Sequence, residues 1–197
     1  MNRTEPPRTL PLRAGLLSLL LILAAGIPAW AQVARKSEVV SLRSALKEML
    51  QTAGATRLKK LTVTVDAEQA RAVKTQHNVD VAGSYTVYQG LDDEGNLIGS
   101  VVIVNEAGKE GPLQVLVALR PDGAVYDLGF TIFGEDKGKP ALSWGYLKQY
   151  LGKKPGDPII LGRDIDGVSG ATWTSTSVAT AVKTAVLVYD AFVAASR

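Results

Sequence analysis

The chain has 197 residues, of which 46% are hydrophobic and 21% charged, and its formal net charge is +3. This is a globular composition, long enough for one domain with a proper core and one further element. The lack of cysteine excludes disulfides, thiol-attached haem and cysteine-ligated iron–sulfur clusters, and one histidine, His77, leaves no His cluster for a metal. His77 reads as a solvated surface residue. Redox or catalytic chemistry therefore falls to an organic cofactor, or to carboxylates and hydroxyls.

Residues 1–31 read as a secretory signal peptide. Arg3, Arg8 and Arg13 precede an uncharged apolar run of 14 residues, Ala14 to Ile27, and Ala29-Trp30-Ala31 supplies a small-x-small cleavage pattern. The run is short for a bilayer span, which takes about 20 residues. Cleavage after Ala31 would remove three Arg and one Glu and lower the net charge from +3 to +1. A nearly neutral mature domain carries no electrostatic footprint for nucleic acid. The expected location is exported, periplasmic or extracytoplasmic, with a membrane tether if the segment stays uncleaved.

Beyond a polar linker, Ser37 to Gln51 has apolar residues at helical steps, and Gly54 ends the pattern. Leu61 to Val65 alternates like a strand. Asp66-Ala67-Glu68-Gln69 fits a capping box opening a helix to Thr75. Four strands follow, Ser84–Gln89, Leu97–Val104, Leu113–Leu119 and Ala124–Phe133, separated by polar or Gly-rich turns at hairpin spacing. The spacing predicts an antiparallel meander and hence an α+β fold, not a doubly wound parallel one. A polar loop leads to an aromatic helix, Ser143 to Tyr150, then an irregular Gly/Pro loop. The last helix places Val178, Ala181, Val182, Ala185, Val186, Tyr189 and Val193 on one stripe to pack on the sheet.

Before that helix stands Asp166-Gly167-Val168-Ser169-Gly170-Ala171-Thr172-Trp173-Thr174-Ser175. A helix start has unpaired N–H groups and a partial positive charge. Small residues admit a ligand, and the hydroxyls of Ser169, Thr172, Thr174, Ser175 and Thr176 add donors. The combination suits a phosphate. It lacks a P-loop lysine and the spacing of a dinucleotide fingerprint. The plain alternative is a helix cap with spare hydroxyls.

The segment Asp166 to Thr172 resembles the D-x-x-S-G-A-T signature of FMN-binding domains with covalently attached FMN. These occur in Rnf and Na⁺-translocating NADH:quinone reductase complexes, in nitrous-oxide-reduction regulators and in small extracellular electron-transfer proteins. Three further elements fit in order. Gly108-Lys109-Glu110-Gly111-Pro112 is similar to G-x-x-G-P. Glu135-Asp136-Lys137-Gly138 is similar to E-[TS]-R-G, with Lys137 where Arg is usual. Tyr146 to Lys153 is similar to F-L-x-Q-F-x-G-K. The resemblance covers roughly residues 83–197 and implies an FMN-binding domain there, with residues 32–82 as a helical and strand extension. It implies FMN esterified through its phosphate to Thr172 by an ApbE-like flavin transferase, with Asp166, Ser169, Gly170 and Ala171 as the recognition turn. Asp166 would repel a phosphate, so its expected role is to serve the transferase's metal site or to cap the turn.

Trp173 is expected either to stack on the flavin ring or to anchor the last helix in the core. Trp144, Tyr146 and Tyr150 are expected to pack on the sheet rather than line the ring pocket. Glu135 and Asp136 are adjacent loop residues that seldom converge as a catalytic pair. The Glu135–Gly138 loop is expected at the flavin's polar edge, with Lys137 beside the reduced ring, or else as a solvated loop. No catalytic residue and no metal ligand is assigned. The expected function is an exported flavin electron carrier working between redox partner proteins. The alternatives are a non-redox ligand-binding or sensor module, and a flavin-dependent reductase of a small acceptor.

Overall fold

The computed structural model describes residues 39–194; the expected signal peptide lies outside them. Five strands form one sheet in the order of the chain: β1 (Arg57–Val65), β2 (Gly83–Leu91), β3 (Leu97–Ala107), β4 (Pro112–Leu119) and β5 (Val125–Phe133). Every neighbouring pair is antiparallel, so the α+β meander expected from turn spacing is the observed fold.

Side chains alternate between the two faces of a strand, and both faces of the sheet centre are apolar. Val102 and Val104 of β3, with Val115 and Val117 of β4, point into the larger core under the last helix, α4 (Thr172–Val188). All seven residues of the stripe expected on that helix are in this core. Val101, Ile103, Leu116 and Ala118 point the other way, onto Ala45, Leu46, Met49 and Leu50.

Those last four belong to α1 (Leu42–Leu46) and the π-helical turn Lys47–Gln51 that continues it. The helix begins after Ser41, later than the expected start at Ser37, which lies outside the described residues; Ser41 is the cap, and its hydroxyl accepts from the Ser44 N–H at 3.1 Å. Just before it, Val39 bridges Phe130 on the β5 edge. The N-terminal segment thus supplies both an edge strand, β1, and the cover for the second face of the sheet.

The capping box is present. Asp66 accepts from the N–H groups of Glu68 and Gln69, both at 2.9 Å, and opens α2 (Ala67–His77). With α2, the end of α4 closes a third cluster of Val65, Ala70, Val81, Leu187 and Val188. The stretch Thr172–Val193 is apolar and long enough to cross a membrane, yet 72% of its most apolar window is buried inside the protein. It is the core helix of this fold.

The aromatic segment is broken into the 3₁₀ turn Lys139–Leu142, α3 (Trp144–Leu147) and the 3₁₀ turn Lys148–Tyr150. Tyr146 and Tyr150 are buried in the main core with rings edge to face, and Trp144 is partly exposed.

Met49 is 1% exposed. Met49→Ala should lower unfolding stability by about 2–5 kcal/mol, the usual cost of a large-to-small core change. Urea denaturation should show it in one transition, because this helix covers the same sheet.

Candidate functional site

The site is a cleft of about 660 Å³, within the usual range for ligand pockets. Three segments line it: the end of β3 with the following turn (Glu106, Ala107, Lys109, Glu110), the loop after β5 (Glu135, Lys137, Gly138), and the start of α4 (Gly170 to Thr174, Thr176, Ser177, Thr180). These are segments that the sequence singled out separately.

Glu135 holds them together. It is 4% exposed. Its Oε1 accepts from the backbone N–H groups of Glu110 at 2.6 Å and Gly111 at 3.3 Å. Its Oε2 accepts from the Thr174 hydroxyl at 2.9 Å. Glu110 returns the arrangement, its Oε2 accepting from the N–H groups of Asp136 at 2.7 Å and Lys137 at 3.2 Å. Two loops therefore exchange carboxylates, and one carboxylate also grips the helix. Burial alone would push the Glu135 carboxyl up. The N–H donors of Glu110, Gly111 and Lys109 and the Thr174 hydroxyl outweigh it and hold the group below the ordinary carboxylate range.

This packing explains two glycines. A Cβ on Gly108 would lie 2.2 Å from Glu135 Oε1, and one on Gly138 would lie 2.3 Å from Thr174 Oγ1. Neither loop can close on Glu135 with a larger residue. Glu135 thus joins the walls, and it also lines the cleft where the expected contact with a ligand edge would lie. Lys137 is exposed and lines the cleft.

The helix start sorts its hydroxyls. The cap residue is Ala171, and no side chain caps the helix, so the cap-with-spare-hydroxyls reading fails. Thr174 is buried against Glu135. Ser175 is fully buried, and its hydroxyl accepts from the Val168 N–H at 3.3 Å. Thr176 donates to the Thr172 carbonyl at 3.0 Å. Thr172 is exposed to the cleft, and its hydroxyl has no partner among the described residues. Gly170 takes φ +78°, a left-handed turn that suits glycine, and brings the chain into the helix. Trp173 is 60% exposed on the cleft, so it is not a core anchor.

Asp166 and Ser169 are exposed and stand outside the cleft lining. The turn they belong to is held from behind. Gln149 accepts from the Asp166 N–H at 2.8 Å and donates to the Asp166 carbonyl at 3.2 Å. Lys153 pairs with Asp164 at 2.7 Å in a mostly buried contact. Asp164 also accepts from the N–H groups of Ile159 and Ile160. Burial opposes ionisation of Asp164, but the Ile160 and Ile159 N–H groups and Lys153 bring it down to about 2. The Gln and Lys of the segment Tyr146–Lys153 thus brace the approach to the turn. Tyr146 adds a bond from its hydroxyl to the Ser175 carbonyl at 2.7 Å.

Comparison with known proteins agrees with this geometry. Residues 108–187 match the family model of the FMN-binding domain. This segment is similar to the FMN-binding domain. The chain is 32% identical over 120 residues to a component of the ion-translocating oxidoreductase complex of Methanosarcina acetivorans, a match covering 57% of this chain and 63% of that protein. The chain therefore spans less than two thirds of that relative. The crystal structure of Shewanella oneidensis NqrC shares the fold, with a TM-score of 0.54 and 20% identity over 79% of this chain and 98% of that one. The cleft suits FMN on its own terms. It has the volume, an uncapped helix start for a phosphate, lysines at 109 and 137, and an exposed indole.

Two measurements probe the bracing. Glu135→Gln should cost about 1–3 kcal/mol at pH 7, the worth of hydrogen bonds to a charged group. Because folding lowers the pKa of Glu135, its contribution is present above the unfolded value of about 4.3 and disappears as the pH falls through the folded value. Urea titrations from pH 7 to 3 should therefore show the gap between wild type and variant closing in acid. Gln149→Leu should speed amide exchange from Asp166 to Ala171 about tenfold, given two lost hydrogen bonds, and leave exchange in β3 and β4 unchanged.

Proposed function

We propose that this protein is an exported electron carrier whose FMN is esterified through its phosphate to Thr172. The observation that carries the assignment is the sorting of hydroxyls at the start of α4. Of Thr172, Thr174, Ser175 and Thr176, only Thr172 combines exposure to the cleft with a hydroxyl that has no partner among the described residues. An ApbE-like transferase would join that oxygen to the FMN phosphate of FAD, releasing AMP, with the hydroxyl proton passing to the transferase. Asp166 and Ser169, exposed on the braced turn beside the cleft, are available to that enzyme.

When bound, FMN supplies the electron-accepting and electron-donating chemistry. This chain's residues fix the phosphate end at an uncapped helix start, where the partial positive charge favours an anion. Trp173 presents an exposed aromatic face to the cleft. Lys109 and Lys137 place cationic groups on its walls, beside the carboxylates of Glu106, Glu110 and Glu135.

The relative from Methanosarcina is part of an ion-translocating oxidoreductase complex. By that likeness the electron donor and acceptor here are other redox proteins, which supports a carrier over a self-contained catalyst. Export rests on the signal-like residues 1–31, and a covalent tether retains the cofactor in a compartment without a flavin pool.

Co-expression with an ApbE-like transferase tests the assignment. The wild-type protein should be yellow, and the colour should stay with the chain through denaturation and acid precipitation. Thr172→Val should lose it, and Thr176→Val should keep it. A colourless wild type, or colour released by denaturation, contradicts covalent attachment.

A further inference from the structure

The cleft extends past the turn. Thr172, Thr176 and Thr180 all line it at four-residue steps, marking one wall over about 12 Å of helix at 1.5 Å per residue. Partway along, the Ser177 hydroxyl donates to the Ala107 carbonyl at 2.8 Å and fixes the end of β3 against the helix. The preceding residue, Glu106, also lines the cleft.

Glu106 differs from the other acids of the cleft. The carboxylates of Glu135 and Glu110 are each engaged by backbone N–H groups. Glu106 is half-buried, and its carboxyl has no hydrogen-bond or ion-pair partner among the described residues. The nearby Tyr85 hydroxyl donates elsewhere, to the Val81 carbonyl at 2.9 Å. Desolvation pushes the Glu106 carboxyl above its ordinary range.

A partly desolvated polar group with no partner costs stability, and a ligand that offers it a donor removes that cost. The lysines at 109 and 137 call for an anion, whereas Glu106 calls for an N–H or O–H group. A flavin nucleotide carries both kinds of group: a phosphate at one end, and ribityl hydroxyls and an imide N–H along the rest.

We propose that Glu106 is a further ligand-recognition residue of this cleft, binding a hydroxyl or imide N–H of the nucleotide beyond its phosphate. The proposal rests on the reading of the cleft as a flavin site. It gives the cleft two polar contact zones: Thr172 with the helix start for the phosphate, and Glu106 for the remainder of the molecule.

The test separates recognition from tethering. Thr172→Val removes the tether, so titration with free FMN, followed by quenching of its fluorescence, reports the cleft alone. Adding Glu106→Ala in that background should weaken FMN binding about tenfold or more, as expected for one hydrogen bond to a charged group. Glu106→Gln keeps the shape and an acceptor and should restore most of the affinity. Equal affinities with and without Glu106→Ala overturn the proposal. If Thr172→Val binds no FMN while the wild type carries covalent flavin, the proposal is also overturned and the tether reading stands. If the wild type acquires no flavin beside the transferase, the flavin reading falls and this proposal falls with it.

Discussion

The site depends on one buried carboxylate. Glu135 accepts from two N–H groups in the turn after β3 and from Thr174 on α4. Without those donors a carboxylate this buried would be costly; with them it joins three segments distant in sequence into one cleft wall. The geometry of the neighbouring glycines follows from it, since a side chain at Gly108 or Gly138 would overlap Glu135 or Thr174. So does the chemistry at the helix start. By engaging Thr174, Glu135 fixes the rotation of the first turn, and the residue two positions earlier, Thr172, faces the cleft.

That arrangement turns a run of similar side chains into distinct roles. Thr174 and Ser175 are internal connectors, and Thr176 bonds back to the preceding turn. Ala171 occupies the cap position with no capping side chain, so the helix start keeps its donors for something else. The brace from Gln149 and Lys153 holds the approach in place while leaving Asp166 and Ser169 exposed.

Local signals made much of the fold legible. Hairpin turns and alternating strands implied the meander, and Asp66 with Gln69 marked a helix start that is present as a full capping box. The stripe on α4 was periodic enough to name its core face residue by residue. Long-range pairings were not legible. Nothing local shows that the helix beginning at Leu42 covers the second face of the sheet, although the doubly apolar runs Val101–Val104 and Val115–Leu119 require some cover on both sides. At the site, the resemblance singled out segments that line one cleft and placed Glu135 at the expected ligand. Its partners within the fold are backbone N–H groups and a threonine, which composition cannot reveal. Glu106 belonged to no motif and became visible only as a cleft carboxyl with no hydrogen-bond partner among the described residues.

Peptide mapping of protein made beside an ApbE-like transferase tests the central claim most directly, with fragmentation through the stretch Ser169 to Ser177. The account predicts the mass of FMN on Thr172 and on no other hydroxyl of that stretch. FMN on Thr174, Ser175 or Thr176, or none on any of them, would contradict it.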